Sequence, residues 1–385
     1  MRLDNNQQAF FVLVRAGLWE RDSRLTSFGT LDYNVIFRQA EEQSILGLVA
    51  AGLENIIDTK VSQEFALNLA GEVLQLEQRN AAMNIFIGQS VEKMRENGIY
   101  TLLVKGQGIA QCYERPLWRT SGDIDFFLSD ENFKKAEAYL MPKASYVGGV
   151  NTYSHHLAMT IDSWDVELHG TLRSGLWKSM DRALDGVQYD IFYGGNVRTW
   201  MNGNSQIFLP RADEDVVYVF SHILEHFFKE GIGLRQICDW CRLLWTFRDN
   251  INLNVLESRL RKMRVMTEWK AFASLAVDWL GMPAGAMPLY SKSKKWSRKA
   301  EKIIAFVLET GNFGHNRDYS YQNKYSFFFS KVISLWHHIS DTFKYFCIFP
   351  LDSIKVLWRR LAVGLSVVVR EIVNRWNINV IIYYV

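Results

Sequence analysis

The sequence predicts an α+β protein, a small mixed-sheet domain flanked by N-terminal and C-terminal helical regions. Three observations carry this expectation. Residues 1 to about 98 hold no proline and repeat apolar side chains at helical spacing, as in Phe10, Phe11, Leu13, Val14 and Leu18. Short apolar runs follow at Ile99–Val104 and Ile124–Leu128 with a glycine-containing turn between them, the pattern of buried strands. Helical stripes resume near Asp213, where Val216, Val217, Phe220, Ile223, Leu224 and Phe227 share one face.

In chain order, the first region reads as helices punctuated by Gly17, Gly29, Gly47, Gly52 and Gly71, with a second stripe at Leu67, Leu69, Val73, Leu74 and Leu76. Asn97-Gly98 ends it. The run at Ile99–Val104 leads through Lys105-Gly-Gln-Gly108 into a short helix at Ile109–Tyr113. After the strand at Ile124–Leu128, Asp130 is placed to cap a helix over 131–140. Tyr146–Val147, His156–Ile161 and Trp164–Leu168 read as further strands. Later helices are expected over 234–248, 255–264 and 267–280, with a basic turn or helix start at Ser291–Lys299. The implied division is an N-terminal helical region over 1–98, a small mixed-sheet domain over 99–210, a helical domain over 211–325 and a basic, aromatic tail of amphipathic helices over 326–385.

Composition narrows the class. The 385 residues are 48% hydrophobic, with 13 Trp, 16 Tyr and 24 Phe, a load that excludes disorder over most of the chain. Four cysteines exclude a disulfide scaffold and suit a reducing compartment, and Met1–Gly17 shows no secretory signal, so a cytoplasmic location is expected. The net charge of +3 is unevenly spread. Residues 286–385 carry 15 Lys/Arg against 6 Asp/Glu, so this basic end could touch an anionic surface or simply present a solvated face. Its longest apolar run, Leu361–Val369 with Ser366 inside it, is well short of the ~20 residues a spanning helix needs. No transmembrane helix is expected. An amphipathic surface helix anchored by arginines, or a helix packed on the protein's own core, fits better.

The residues that carry chemistry lie in the central domain. In a strand, Asp123 and Asp125 face the same way, while Ile124 points to the other side. Adjacent carboxylates repel, and a divalent cation is the usual counter-charge. Asp165-Val-Glu167-Leu-His169 repeats the alternation, so three or four carboxylates converge if the two strands are neighbours. Glycines in Lys105-Gly-Gln-Gly108 would let the backbone approach a phosphate, and Lys105 would add charge. Arg119, four residues before Asp123, is placed to pair with a carboxylate or a phosphate. His155, His156 and His169 could orient substrate or carboxylates or could be structural histidines. His222 and His226 stand one turn apart, but position 223 is Ile, which excludes the zinc-protease motif. Cys238 and Cys241 read as core of a helix, and no Gly-x-Ser-x-Gly elbow supports serine hydrolysis.

Strand, glycine turn, helix, Asp-x-Asp strand and a later strand with a third carboxylate together resemble the polymerase-beta-like nucleotidyltransferase superfamily. More narrowly, the chain is similar to a bacterial family of uncharacterised nucleotidyltransferases. The matching elements are Leu103-Val-Lys-Gly106, Tyr113 with Pro116, Arg119 with Asp123-Ile-Asp125, and Val166-Glu-Leu-His169. His222 with His226, the run Gly233–Asp239 and Gly311-Asn-Phe-Gly314 extend the likeness over roughly residues 5 to 320. The sequence departs from the superfamily where Gly106 is followed by Gln107 in place of Gly or Ser.

The resemblance implies transfer of a nucleoside monophosphate from a nucleoside triphosphate to an acceptor hydroxyl, with Mg²⁺ or Mn²⁺ as cofactor. Asp123, Asp125 and Glu167 would be the catalytic, metal-holding carboxylates. Lys105, Gly106, Arg119 and His169 would contact the triphosphate. The acceptor could be a sugar, a lipid-linked intermediate, a peptide, RNA or protein. Two other classes compete: a degenerate protein of this fold that binds a nucleotide or partner without turnover, and a toxin-type nucleotidyltransferase.

Overall fold

The computed structural model describes residues 3–149, 155–312 and 342–359. Residues Met1–Asn316 belong to one compact unit and Arg317–Val385 to a second. In the second unit, the described residues are helical over 342–346 and 350–359. Gly314 and much of the basic tail lie outside the described residues. No described helix is long and apolar enough to cross a membrane.

The chain opens with four helices: α1 (Asn5–Trp19), α2 (Tyr33–Glu42), α3 (Leu46–Glu54) and α4 (Gln63–Glu96). Asp4 starts α1 in a reciprocal capping box with Gln7, and Asp32 and Ser62 cap α2 and α4. Four of the five glycines expected as punctuation lie inside these helices instead. A Cβ on Gly17 would stand 2.0 Å from the Leu48 carbonyl oxygen, and one on Gly52 equally close to that of Leu13. Glycine is used there so that α1 and α3 can cross backbone to backbone. The stripe expected at Leu67–Leu76 is also displaced. Leu67 and Leu74 are exposed, and α4 buries Val73, Asn80, Met83, Ile87, Val91 and Met94, because only its C-terminal half lies on the sheet.

The sheet elements are β1 (Leu102–Val104), α5 (Gly106–Ala110), β2 (Ile124–Phe127), α6 (Asp130–Leu140), β3 (Tyr146–Val147), β4 (His156–Ile161), β5 (Trp164–His169), α7 (Lys178–Phe192), β6 (Val197–Asn202) and β7 (Ser205–Pro210). The first strand is shorter than expected, and α5 begins three residues early, at Gly106. Ser129, not Asp130, caps α6, accepting from the Asn132 amide. Neither α7 nor the β6–β7 hairpin is among the elements expected from the sequence.

The strands form one mixed sheet in the order β3-β4-β5-β2-β1-β7-β6. β2 runs parallel to β5 and antiparallel to β1, and β1 is parallel to β7. One face is apolar: Leu103, Ile124, Phe126, Leu128, Val166 and Leu168 pack with Met83, Ile87 and Val91 of α4 and Phe133 and Leu140 of α6. The other face of the central strands carries the polar residues. Helices α8 (Ala212–Lys229), α9 (Leu234–Thr246), α10 (Leu253–Met263), α11 (Met266–Asp278) and α12 (Lys294–Thr310) follow. All six residues of the expected α8 stripe are buried, as are Cys238 and Cys241 of α9. The unit is tied end to end where Trp19 Nε1 of α1 donates to the Leu280 carbonyl at 2.6 Å.

Candidate active site

Register brings the carboxylates together. In the parallel β2–β5 pair, Asp125 lies opposite Glu167, and Val104 at the end of β1 lies opposite Asp125. Asp123, Asp125 and Glu167 each place a carboxylate oxygen within 4.8 Å of the other two. Asp165 does not join them: it sits beside Thr160 of β4, whose hydroxyl donates to it at 3.2 Å. Three carboxylates converge, not four.

Asp125 is the centre of the group and is 2% exposed. Its Oδ1 is 2.7 Å from Lys105 Nζ and 2.7 Å from His169 Nε2. His169 Nε2 is also 3.3 Å from Glu167 Oε2, which lies 3.0 Å from His156 Nε2. Lys105 reaches Asp125 from the turn after β1 with φ 56° and ψ −145°, a backbone region that suits glycine, and Gly106 follows with φ 39°. Such a conformation on a side-chain-bearing residue costs about 1–3 kcal/mol and tends to occur at functional sites.

A family model described as an uncharacterised nucleotidyltransferase matches residues 30–281, a span that contains every one of these residues. The chain belongs to that nucleotidyltransferase family. No curated protein and no solved structure matches it.

The electrostatics of this cluster are unbalanced. Asp123 is pushed above the usual carboxylate range, first by the Asp125 charge and then by burial. Burial opposes ionisation of Asp125 and Glu167 as well. Lys105 and the His169 hydrogen bond nevertheless hold Asp125 low, and hydrogen bonds from His156 and His169 hold Glu167 low. Burial works against the Lys105 charge, but Asp125 foremost, with Asp123, keeps it well above the ordinary lysine range. His169 is raised in the same way: burial works against its charge, and the Asp125 and Glu167 contacts outweigh it. The donor set suits a divalent cation. Three clustered carboxylates, one of them held partly against ionisation despite Lys105 and Arg235, can take further positive charge, and oxygen donors suit Mg²⁺ or Mn²⁺.

Arg119, expected to pair with a carboxylate or a phosphate, pairs with a carboxylate. Its guanidinium is buried against Asp239 of α9, with Nε donating to Oδ1 at 2.9 Å and Nη2 to Oδ2 at 2.7 Å, and Nη1 donates to Ser121 Oγ at 2.8 Å. Tyr113 OH donates to the same Asp239 at 2.9 Å. Gln107, the departure from the family pattern, turns into the protein. Its Nε2 donates to Asn80 Oδ1 at 2.9 Å and Ser121 Oγ at 3.1 Å, while Asn80 donates to the Leu117 and Arg119 carbonyls. The Gln107 side chain thus braces the segment leading into Asp123.

Sequence reasoning missed Tyr218 and did not assign His222 to the site. Both lie on α8 close enough for charge on Lys105 to act on them. Burial and then Lys105 hold His222 well below the usual histidine range, and burial raises Tyr218. Arg235 of α9 faces Asp123 electrostatically while donating to the Thr120 carbonyl at 3.2 Å. The available signal was a polar row, Tyr218, His222 and Glu225, opposite the apolar stripe of the same helix. His222 and His226 hydrogen-bond to each other through Nε2 at 3.0 Å and join no three-ligand group among the described residues.

Proposed function

We propose that the protein is a metal-dependent enzyme that transfers a nucleoside monophosphate from a nucleoside triphosphate to an acceptor hydroxyl and releases pyrophosphate. The observation that carries this is the meeting of Asp123, Asp125 and Glu167 from two parallel strands beside the Lys105–Gly106 turn. Family membership supports the class of reaction.

In this reading the three carboxylates hold the divalent ion, which supplies Lewis-acid stabilisation of charge on the phosphate oxygens. Lys105 adds a fixed positive charge at the same place, and Gly106 lets the backbone approach the triphosphate. His169 orients Asp125 and Glu167 through Nε2. Arg119 is neutralised by Asp239, so it acts by holding the 119–121 segment, and Arg235 supplies the positive field on the Asp123 side. The acceptor oxygen bonds to the α-phosphorus as the bond to pyrophosphate breaks, and the hydroxyl proton passes to water. A triphosphate donor and a set of free cysteines fit a cytoplasmic protein.

Thermal unfolding with each of the four NTPs, with and without Mg²⁺, tests donor binding first. A ligand at 100 times its Kd contributes about 2.7 kcal/mol, a visible shift. The expected result is a Mg²⁺-dependent shift with one NTP, absent in Asp125→Asn. Incubation with that NTP labelled at the α-phosphate, together with sugar, lipid-linked, peptide, RNA or protein acceptors, then identifies the acceptor by the label. Binding without transfer to any of them favours the degenerate binding protein, and full activity in a folded Asp125→Asn overturns the proposal.

A further inference from the structure

Beside the carboxylate group lies a second set of donors of different chemistry. His156 of β4, Glu167 of β5 and His169 of β5 each place one ligand atom within 4.8 Å of the other two. The sheet fixes this arrangement. His156 and His169 are directly opposed across the antiparallel β4–β5 pair, and Glu167 stands two residues before His169 on the same face. Opposite Glu167 is Ala158, whose small side chain leaves His156 room to reach diagonally to Glu167.

The spacing fits ligands around an ion as well as it fits the hydrogen bonds these groups make without one. Donors about 2.1 Å from a common metal stand about 3.0 Å apart in an octahedron and about 3.4 Å apart in a tetrahedron. Glu167 Oε2 is 3.0 Å from His156 Nε2 and 3.3 Å from His169 Nε2, and His169 Nε2 also lies 2.7 Å from Asp125 Oδ1, a contact it gives up with its proton when that atom binds an ion. Side-chain exposures of 31%, 28% and 13% leave the set reachable from solvent. The chemistry is also distinct. Asp123, Asp125 and Glu167 offer only oxygen, which suits Mg²⁺, whereas two imidazoles with one carboxylate suit borderline ions such as Zn²⁺, Co²⁺, Fe²⁺ and Ni²⁺.

We propose that His156, Glu167 and His169 form a second metal site, selective for a borderline transition ion of the Zn²⁺/Co²⁺ type over Mg²⁺. Glu167 belongs to both donor sets, so an ion held by either set would draw on the same carboxylate. The inference goes beyond nucleotidyl transfer, because a protein that transfers nothing can still bind the ion. Its readout is therefore ion binding alone.

Co²⁺ is the probe, added to the full chain after stripping with EDTA, and binding is followed by equilibrium dialysis and visible absorption. One tightly held Co²⁺ per chain is expected, displaced by Zn²⁺ and retained in excess Mg²⁺. His156→Ala should weaken it at least about tenfold, and His156→Asp, which restores an oxygen donor, should recover part of the loss. Asp123→Asn should leave it within about twofold, since Asp123 belongs only to the oxygen set. Circular dichroism checks that each variant is folded. A variant-free measurement stands beside these: the proton spectrum of the Co²⁺ form should show two paramagnetically shifted, exchangeable imidazole N–H signals. No Co²⁺ binding by wild type, equal binding by folded His156→Ala, absence of those two signals, or equal losses in Asp123→Asn and His156→Ala would each overturn the site. The last outcome would place the ion in the carboxylate set.

Discussion

The two faces of β2 and β5 are written in alternate residues of the same two short segments and obey different physics. On one face, Ile124, Phe126, Val166 and Leu168 are at most 1% exposed and pack on α4 and α6. On the other, Asp123, Asp125 and Glu167 crowd like charges and balance them incompletely with Lys105 and His169. The apolar face stabilises the protein, whereas the polar face costs it stability at Asp123. One sheet thus supports a destabilised site because its opposite side is densely packed.

The largest test of that contrast compares neighbouring residues. Phe126→Ala removes a fully buried ring and should cost about 3–5 kcal/mol, read as a drop in the denaturant midpoint. Any transfer activity of the surviving folded fraction should keep its KM. Asp125→Asn, one residue earlier, should reduce turnover by at least about 10²-fold, beyond the effect of losing a residue that merely supports metal ligands. If the two variants behave alike, the faces are not functionally separate.

How much of this is legible in the sequence follows from the periods involved. In a strand, residues two apart share a face, so Asp123 pairs with Asp125, and Glu167 with His169, on spacing alone. Their convergence needs only that the two strands be neighbours, which the β2–β5 register provides. Helices give less. The polar row of α8 is visible as a row, but nothing local says that Tyr218 and His222 approach Lys105, more than 100 residues away. Arg119 is legible as a pairing residue, but nothing local names Asp239 of α9, 120 residues away, as its carboxylate partner. Gly17 and Gly52 look like breaks because composition cannot distinguish a turn from two helices in backbone contact. Gln107 looks like a departure from the phosphate turn, and only its contacts with Asn80 and Ser121 show it facing inward.

That inward network gives the intermediate test. Gln107→Ala leaves Asn80 Oδ1 without its buried donor, which should cost about 1–3 kcal/mol. If the network positions Asp123 through the 119–121 segment, the variant should also lose NTP-induced stabilisation. Gln107→Glu cannot donate to Asn80 and should do no better, whereas a variant with lower stability but unchanged NTP affinity would make the network purely structural.

The smallest expected effect runs the opposite way and isolates the cost of the polar face. The folded pKa of Asp123 is raised, chiefly by Asp125, so the folded protein binds this proton more tightly than the unfolded chain does. Its relative stability is therefore present below the unfolded carboxylate pKa of about 3.9 and is lost as pH rises through the folded value. At neutral pH the ionised Asp123 works against folding. Asp123→Asn, measured in EDTA, should raise Tm by about 2–4 °C, the shift expected for about 1 kcal/mol in a large domain. The gain should shrink as the pH is lowered through the raised titration range of wild-type Asp123, where it gains its proton. Added Mg²⁺ should stabilise wild type and not the variant, closing the gap from the other side. A variant no more stable than wild type in EDTA would mean that Lys105 and Arg235 already balance the cluster, and that it has no deficit of positive charge for a cation to fill.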